Sequence, residues 1–252
     1  MTPPLSNIDE IISSDETICQ VFLMRSSVMI RGMPDTAPAA PTRIDRRKER
    51  TRAALLAAAT GFLAEGSTTV SIQQITDAAD VGFGSFYNHF ESKEALFEAA
   101  VADVLDTYAA LRDELVAGYD DPAEVFAVSF RMTGRLQRQV PAMVKVLLNE
   151  GVGILLHDRG LAPRAIHDIR ESMTAGRFDI DNPQLALMAA GGALLGLLQL
   201  LDSDPSADAD LLSDQMTSRL LRAFGMDRDE AERLCARPLP AVPDLEVDPT
   251  GH

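Results

Sequence analysis

Two short stretches of this chain hold residue types whose spacing suits chemistry. The first, RIDRRKERTR (Arg43–Arg52), sets Arg43, Arg46, Arg47, Lys48, Arg50 and Arg52 against only Asp45 and Glu49. Cations at that density suit phosphate, because each Lys or Arg that neutralises a backbone phosphate releases a condensed counterion. The plain alternative is a solvated helix face balanced by its own two acids. The second stretch, DVGFGSFYNHF (Asp80–Phe90), packs three Phe and one Tyr into eleven residues of a chain with ten Phe, three Tyr and no Trp. On a helical wheel Phe83, Phe86, Tyr87 and Phe90 fall within about 100° of one another, with Gly84, Ser85, Asn88 and His89 opposite. Periodicity alone therefore reads all four rings as core. A helix this short that follows a turn can instead project its first residues outward, as the second helix of a helix-turn-helix does toward a DNA major groove.

The elements needed to hold these stretches are helical. The 252 residues are 46% hydrophobic, 24% charged and 5% aromatic, with long runs of Ala, Leu, Met, Glu and Arg and almost no strand signal. The net charge of −15 would ordinarily argue against a nucleic-acid partner, but Arg43–Arg52 carries +4 of its own and leaves −19 for the rest. A short cationic segment thus sits on an acidic body. Cys19 and Cys235 are too far apart in sequence to suggest a metal pattern or a disulfide framework, and a reducing cytoplasm is expected. The apolar run Ile18–Met24 is too short to span a bilayer and lacks a basic leader, so neither targeting nor membrane anchorage is expected.

Residues 1–42 show no helical period, end in a Pro/Ala linker and read as a disordered extension. Met33 is an expected alternative start, which an intact mass of the native protein would decide. From Arg43 onward Leu55, Ala59, Phe62 and Leu63 mark one face of a helix closed by Gly66. Ser71 and Gln74 stand at capping-box spacing before Ile72, Ile75 and Ala79, Asp80-Val81-Gly82 forms a break, and a second short helix runs to about Phe90. Ser92 caps a long helix from Lys93 to about Ala117 whose apolar stripe includes Leu96, Phe97, Ala100, Val104, Tyr108 and Leu111. Further helices are expected at about 122–139, 141–156, 161–176, 183–202, 207–224 and 227–235. A loose Pro-rich tail follows.

At this point the stretch TVSIQQITDAADVGFGSFYNHFESKEALF strongly resembles the DNA-binding region of TetR-family transcriptional regulators, with motif-level agreement over about residues 45–105. Phe86-Tyr87-Asn88-His89-Phe90 and Lys93 match the family pattern in place. The resemblance implies an all-α fold, with an N-terminal three-helix helix-turn-helix domain (43–92) followed by a larger helical domain (93–235) for effector binding and dimerisation, and a tail (236–252). It implies that Phe86 and Phe90 are core, that Tyr87 lies on phosphate, and that Ser71, Gln73, Phe83, Gly84, Ser85, Asn88 and His89 have groove or phosphate roles. Lys93 would close on phosphate from the fourth helix. The chain departs from the pattern at Gly82, where a polar cap is common, and at Phe83, where a polar or basic side chain is common. Phe83 is either a core ring or a groove contact able to pack on a thymine methyl. No Arg or Lys occurs from Ile72 to Ser92, so guanine readout by Arg is excluded from this element and affinity falls to Arg43, Arg46, Arg47, Lys48 and Arg50.

The remaining chain implies a partner and a ligand. PQLALMAAGGALLGLLQLL (Pro183–Leu201) is apolar around most of its circumference and, with Leu211, Leu212, Met216, Leu220 and Leu221, suits a four-helix interface between two copies, which would read a palindromic duplex site. A buried helix within one subunit is its plain alternative. An effector pocket is expected between about Lys93 and Arg177, with Met132, Arg135, Met143, Asn149 and His157 as candidate lining residues and an apolar small molecule as ligand. No cofactor or metal is called for. Two rival readings remain: a protein-binding adaptor that kept the fold but lost DNA, motivated by the cation-free second helix, and a metal-dependent hydrolase using His157-Asp158 and His167-Asp168.

Overall fold

A computed structural model describes residues 42–240, and the expectations for the N-terminal extension and the end of the tail lie outside these residues. Ten α-helices are described: α1 (Arg43–Ala64), α2 (Ile72–Ala78), α3 (Phe83–Phe86), α4 (Lys93–Val116), α5 (Pro122–Gln139), α6 (Pro141–Glu150), α7 (Leu161–Thr174), α8 (Pro183–Ser203), α9 (Ala209–Ala223) and α10 (Arg228–Ala236). No strand occurs among the described residues. By packing, the chain separates into two compact units that divide between Thr107 and Tyr108, within α4.

Local chemistry sets most of the helix ends. Thr42 and Asp45 form a capping box at α1, and Ser71 and Gln74 form one at α2, each satisfying backbone N–H groups that a helix start would leave orphaned. The Ser92 hydroxyl accepts from the Ala95 N–H at α4, while Asp121, Asn182 and Asp208 cap α5, α8 and α9. Pro122 and Pro183 occupy first-turn positions, where a missing N–H costs nothing.

Two expected boundaries differ. The expected helix 141–156 stops at Glu150 and continues as a 3-10 segment, Gly151–Leu156, because Gly151 takes a left-handed φ of 59° that an α-helix does not allow. The expected helix to Phe90 is α-helical only over Phe83–Phe86. Beyond it the chain turns through Asn88 and His89, whose N–H groups reach back to the carbonyls of Ser85 and Phe86.

The first unit is built on Leu55, Leu56, Ala59, Ile75, Phe86 and Leu96, all essentially inaccessible. In the second unit α5, α7, α8, α9 and α10 enclose a core around Phe126, Ile169, Phe178, Leu197, Leu221 and Phe224. Its ring pairs meet edge-on or tilted, with Phe126–Phe178 centroids 5.7 Å apart and Phe178–Phe224 5.2 Å apart. Arginines, one buried and one exposed, tie the layers together. Arg131 donates to Asp214 (2.7 Å) and to the Arg237 carbonyl (2.9 Å), and Arg138 donates to the Leu201 carbonyl at the end of α8 (2.9 Å).

Candidate nucleic-acid interface and ligand cavity

The four rings of Phe83–Phe90 divide by exposure. Phe86 is fully buried and Phe90 is 7% exposed, whereas Phe83 is 47% and Tyr87 57% exposed. The two inner rings lie 6.1 Å apart, and Phe83 meets Tyr87 edge-on at 6.1 Å, so the outer pair stands on an anchored inner pair. The wheel reading of four core rings therefore fails. It assumed one continuous helix, and α3 ends after a single turn. Gly84 has open space where a Cβ would stand, and the Asn88 side chain is exposed.

The two stretches first picked out in the sequence meet here. The Arg52 guanidinium lies 5.3 Å from the centre of the Phe90 ring, a cation–π contact that fixes α1 against the turn. His89 is the other junction. Its Nδ1 is buried without a hydrogen-bond partner, and burial, followed by the charges of Lys48 and Arg52, holds the imidazole below its ordinary pKa. Arg43, Arg46, Arg47, Lys48 and Arg50 are all exposed along the start of α1.

Other expected contact residues carry internal duties as well. The Ser71 hydroxyl serves the α2 cap, the Gln73 amide donates to Asp77 (2.6 Å), and the Lys93 ammonium donates to the Thr68 carbonyl (3.0 Å). An ammonium has three donors, so Lys93 retains two beyond that bond. Ser85 is half-buried.

The second unit holds a cavity of about 70 Å³. Phe126, Phe130, Leu155, Leu161, Leu187 and Leu194 make its walls, and Arg112, Ser129, Thr133, Arg164 and Asp168 make one polar corner. Arg112 is almost completely buried. It donates to the Ser129 hydroxyl (2.9 Å) and to Asp113 (3.0 Å), and it pairs with Asp168. Arg164 pairs with Asp113 at 2.6 Å. Burial pushes the Asp168 carboxyl above its ordinary pKa, with Arg112 opposing. Burial also acts on Asp113, but hydrogen bonds from Arg164 and Arg112 prevail and hold it below.

None of the five expected ligand residues lines this cavity. On α5 positions 126, 129, 130 and 133 face it, so Met132 and Arg135 fall on another side. Met132 packs with Val116 and Val128, and Arg135 pairs with Asp210 and Asp214. Both border a separate cavity with Tyr108, Leu111 and Leu136. Met143 is buried, and Asn149 and His157 are exposed. Sequence reasoning missed Arg112 and took Asp168 only as part of a metal-binding pair, although Arg112 stands four residues after Tyr108 on the apolar stripe of α4, a signal of a buried charge. Among the described residues no three potential metal ligands converge, and Asp168 pairs with Arg112.

A short turn between two helices, with exposed side chains on the second and a cationic helix beside it, defines a helix-turn-helix DNA-binding protein. Residues 54–100 match the family model described as bacterial regulatory proteins, tetR family, and residues 121–237 match that of the tetracyclin repressor-like C-terminal domain. The solved structure of RolR in complex with resorcinol is similar at 32% identity and a TM-score of 0.56, covering 78% of this chain and 98% of RolR. The probable acrEF/envCD operon repressor of Escherichia coli strain K12 is 24% identical over 156 residues, 55% of this chain and 69% of that protein. The transcriptional repressor KstR2 of Mycolicibacterium smegmatis is 30% identical over 108 residues, 41% of this chain and 51% of the relative. The chain belongs to the TetR family of bacterial regulatory proteins and is a DNA-binding transcriptional repressor.

Proposed function

We propose that the repressor works in the cytoplasm as a homodimer on a palindromic duplex site and is released from it by a small, largely apolar effector held in the second unit. In this reading residues 43–92 form the DNA-binding domain and 93–235 the effector and dimerisation domain. Exposure of Phe83 and Tyr87 on the anchored Phe86–Phe90 pair, beside the cations of α1, is the observation that carries the DNA side. Arg43, Arg46, Arg47, Lys48 and Arg50 then supply phosphate attraction, with Lys93, Ser71 and Tyr87 at the backbone. Gln73, Phe83, Gly84, Ser85, Asn88 and His89 face the groove, and Phe83 reads a thymine methyl.

The dimer rests on α8. Its inner side (Ala186, Leu187, Ala190, Leu197, Leu198, Leu201) is core, while Leu185, Met188 and Leu200 are exposed along the other side with Gly192 and Gly196, and Leu211 is exposed on α9. By length and composition α8 would pass for a membrane span, but its inner side belongs to the core of the second unit. A second copy laid on the outer side gives the two-fold arrangement that paired half-sites require. The effector side rests on the Arg112 cavity and on RolR, whose structure holds resorcinol. Because α4 begins at Lys93 and carries Arg112 one turn before its end at Val116, a ligand that favours one position of α4 would alter the spacing of the paired recognition elements.

Selection of bound duplexes from a random library, followed by sizing of the complex, tests this reading. It predicts enrichment of an inverted repeat bound by an even number of protomers. Recovery of no preferred sequence, or binding as a single protomer, would refute it.

A further inference from the structure

The polar corner of the Arg112 cavity is electrically closed. Two cations, Arg112 and Arg164, meet two anions, Asp113 and Asp168, in pairs that share partners, and their formal charges cancel. The neighbouring His167 is exposed to solvent. A ligand that brought its own charge into this corner would find the Arg112, Arg164, Asp113 and Asp168 charges already paired and would be partly desolvated without a counter-ion of its own. Donors and acceptors are still on offer, however. A carboxylate has about four acceptor sites, of which Arg112 occupies one on Asp168. The opposite walls are hydrocarbon, with Phe126, Phe130, Leu155 and Leu187 among them.

Size narrows the class further. A dry cavity of about 150 Å³ accepts benzene, whereas the present space is about 70 Å³, so even one ring requires a wall to give. One wall is suited to that. Leu155 belongs to the 3-10 segment Gly151–Leu156, which lies between left-handed Gly151 and Gly160 (φ 59° and 74°). Its side chain rests directly on Gly191 of α8, where a Cβ would overlap it. Moving Leu155 aside would enlarge the space at that wall.

We propose that this cavity binds a compact, uncharged molecule carrying a hydroxyl group, with the hydroxyl against Asp168 and Arg112 and the hydrocarbon against Phe126, Phe130 and a displaced Leu155. The proposal deepens the effector reading above and rests on it only for the consequence, since binding itself is measured without DNA.

The test uses the full chain and single-ring probes, namely phenol, benzene, benzoate and benzylamine, with neutral benzyl alcohol to separate the added size of the charged pair from their charge, followed by calorimetry and by the shift in melting temperature. Phenol is expected to bind about tenfold more tightly than benzene, the worth of one satisfied hydrogen bond to a charged group, and roughly a hundredfold more tightly than benzoate or benzylamine. In Asp168→Asn the corner gains one net positive charge, and the preference should reverse toward benzoate. A purely structural role for Asp168 would not produce that reversal. If Asp168→Asn does not fold, the wild-type ratio of phenol to benzoate decides. Equal binding of phenol and benzoate, or binding of none of the probes, overturns the proposal. Phenol binding that leaves a bound duplex in place leaves this site assignment standing and refutes the effector reading.

Discussion

Arginine does opposite work in the two units. Along α1, Arg43, Arg46, Arg47 and Arg50 are exposed to solvent, on a surface that a phosphate backbone would neutralise. In the second unit Arg112 and Arg131 are at most 6% exposed and are joined to Asp168 and Asp214. The same side chain is a handle for an external anion in one place and an internal fastening in the other. Net charge could not separate these uses, because the acidic total includes carboxylates already paired inside the fold. What separates them is burial, and mutations should divide along the same line.

The largest effects are expected where a buried group loses its partner or its volume. Arg112→Ala strands Asp168 and should lower unfolding free energy by about 3–5 kcal/mol, read by denaturant titration. Phe86→Ala removes the ring on which Phe83 and Tyr87 stand and should cost about 3–5 kcal/mol, abolishing DNA binding together with the fold of the first unit. The exposed cations should behave in the reverse manner. Arg46, Arg47 and Arg50 changed together to Gln should leave the melting temperature within a degree or two and weaken binding to every duplex roughly a hundredfold at low salt. A large loss of stability in that triple variant, or none in Arg112→Ala, would break the division drawn here.

Phe83→Ala sharpens it. With its ring 47% exposed, stability should change by less than about 0.5 kcal/mol, while preference among duplexes changes and affinity for random DNA does not. An equal fall for cognate and random DNA would remove Phe83 from the groove. Ser71→Ala, which deletes the α2 capping box, should cost about 1 kcal/mol of stability, read by denaturant titration.

The sequence was most legible where the signal is local. Ser71 with Gln74, Ser92 before α4 and Asn182 before α8 act over three residues, and the structure makes each of those hydrogen bonds. The rings of Phe83–Phe90 were legible in type but not in direction, because a wheel presumes a helix longer than the one turn that forms. Ligand residues chosen by type do not border the Arg112 cavity, although Met132 and Arg135 line a different one. Met132 and Arg135 are buried or paired on a face of α5 that the 126–133 wall does not share, and residue type says nothing about facing. The Arg112–Asp168 pair spans 56 positions between α4 and α7, so only the stripe position of Arg112 hinted at it. Even the division of labour between the arginines needed coordinates.

The central claim is that the cations of α1 carry the attraction for DNA while the acidic remainder does not oppose it. Measuring binding to one duplex across a salt series, for the wild type and for the Arg46/Arg47/Arg50→Gln variant, tests it most directly. The account predicts a steep linear fall of log affinity with log salt in the wild type and a slope shallower by about 2.7 per protomer in the variant, near 0.9 for each phosphate contact removed. Identical slopes, or a wild type whose binding ignores salt, would contradict it.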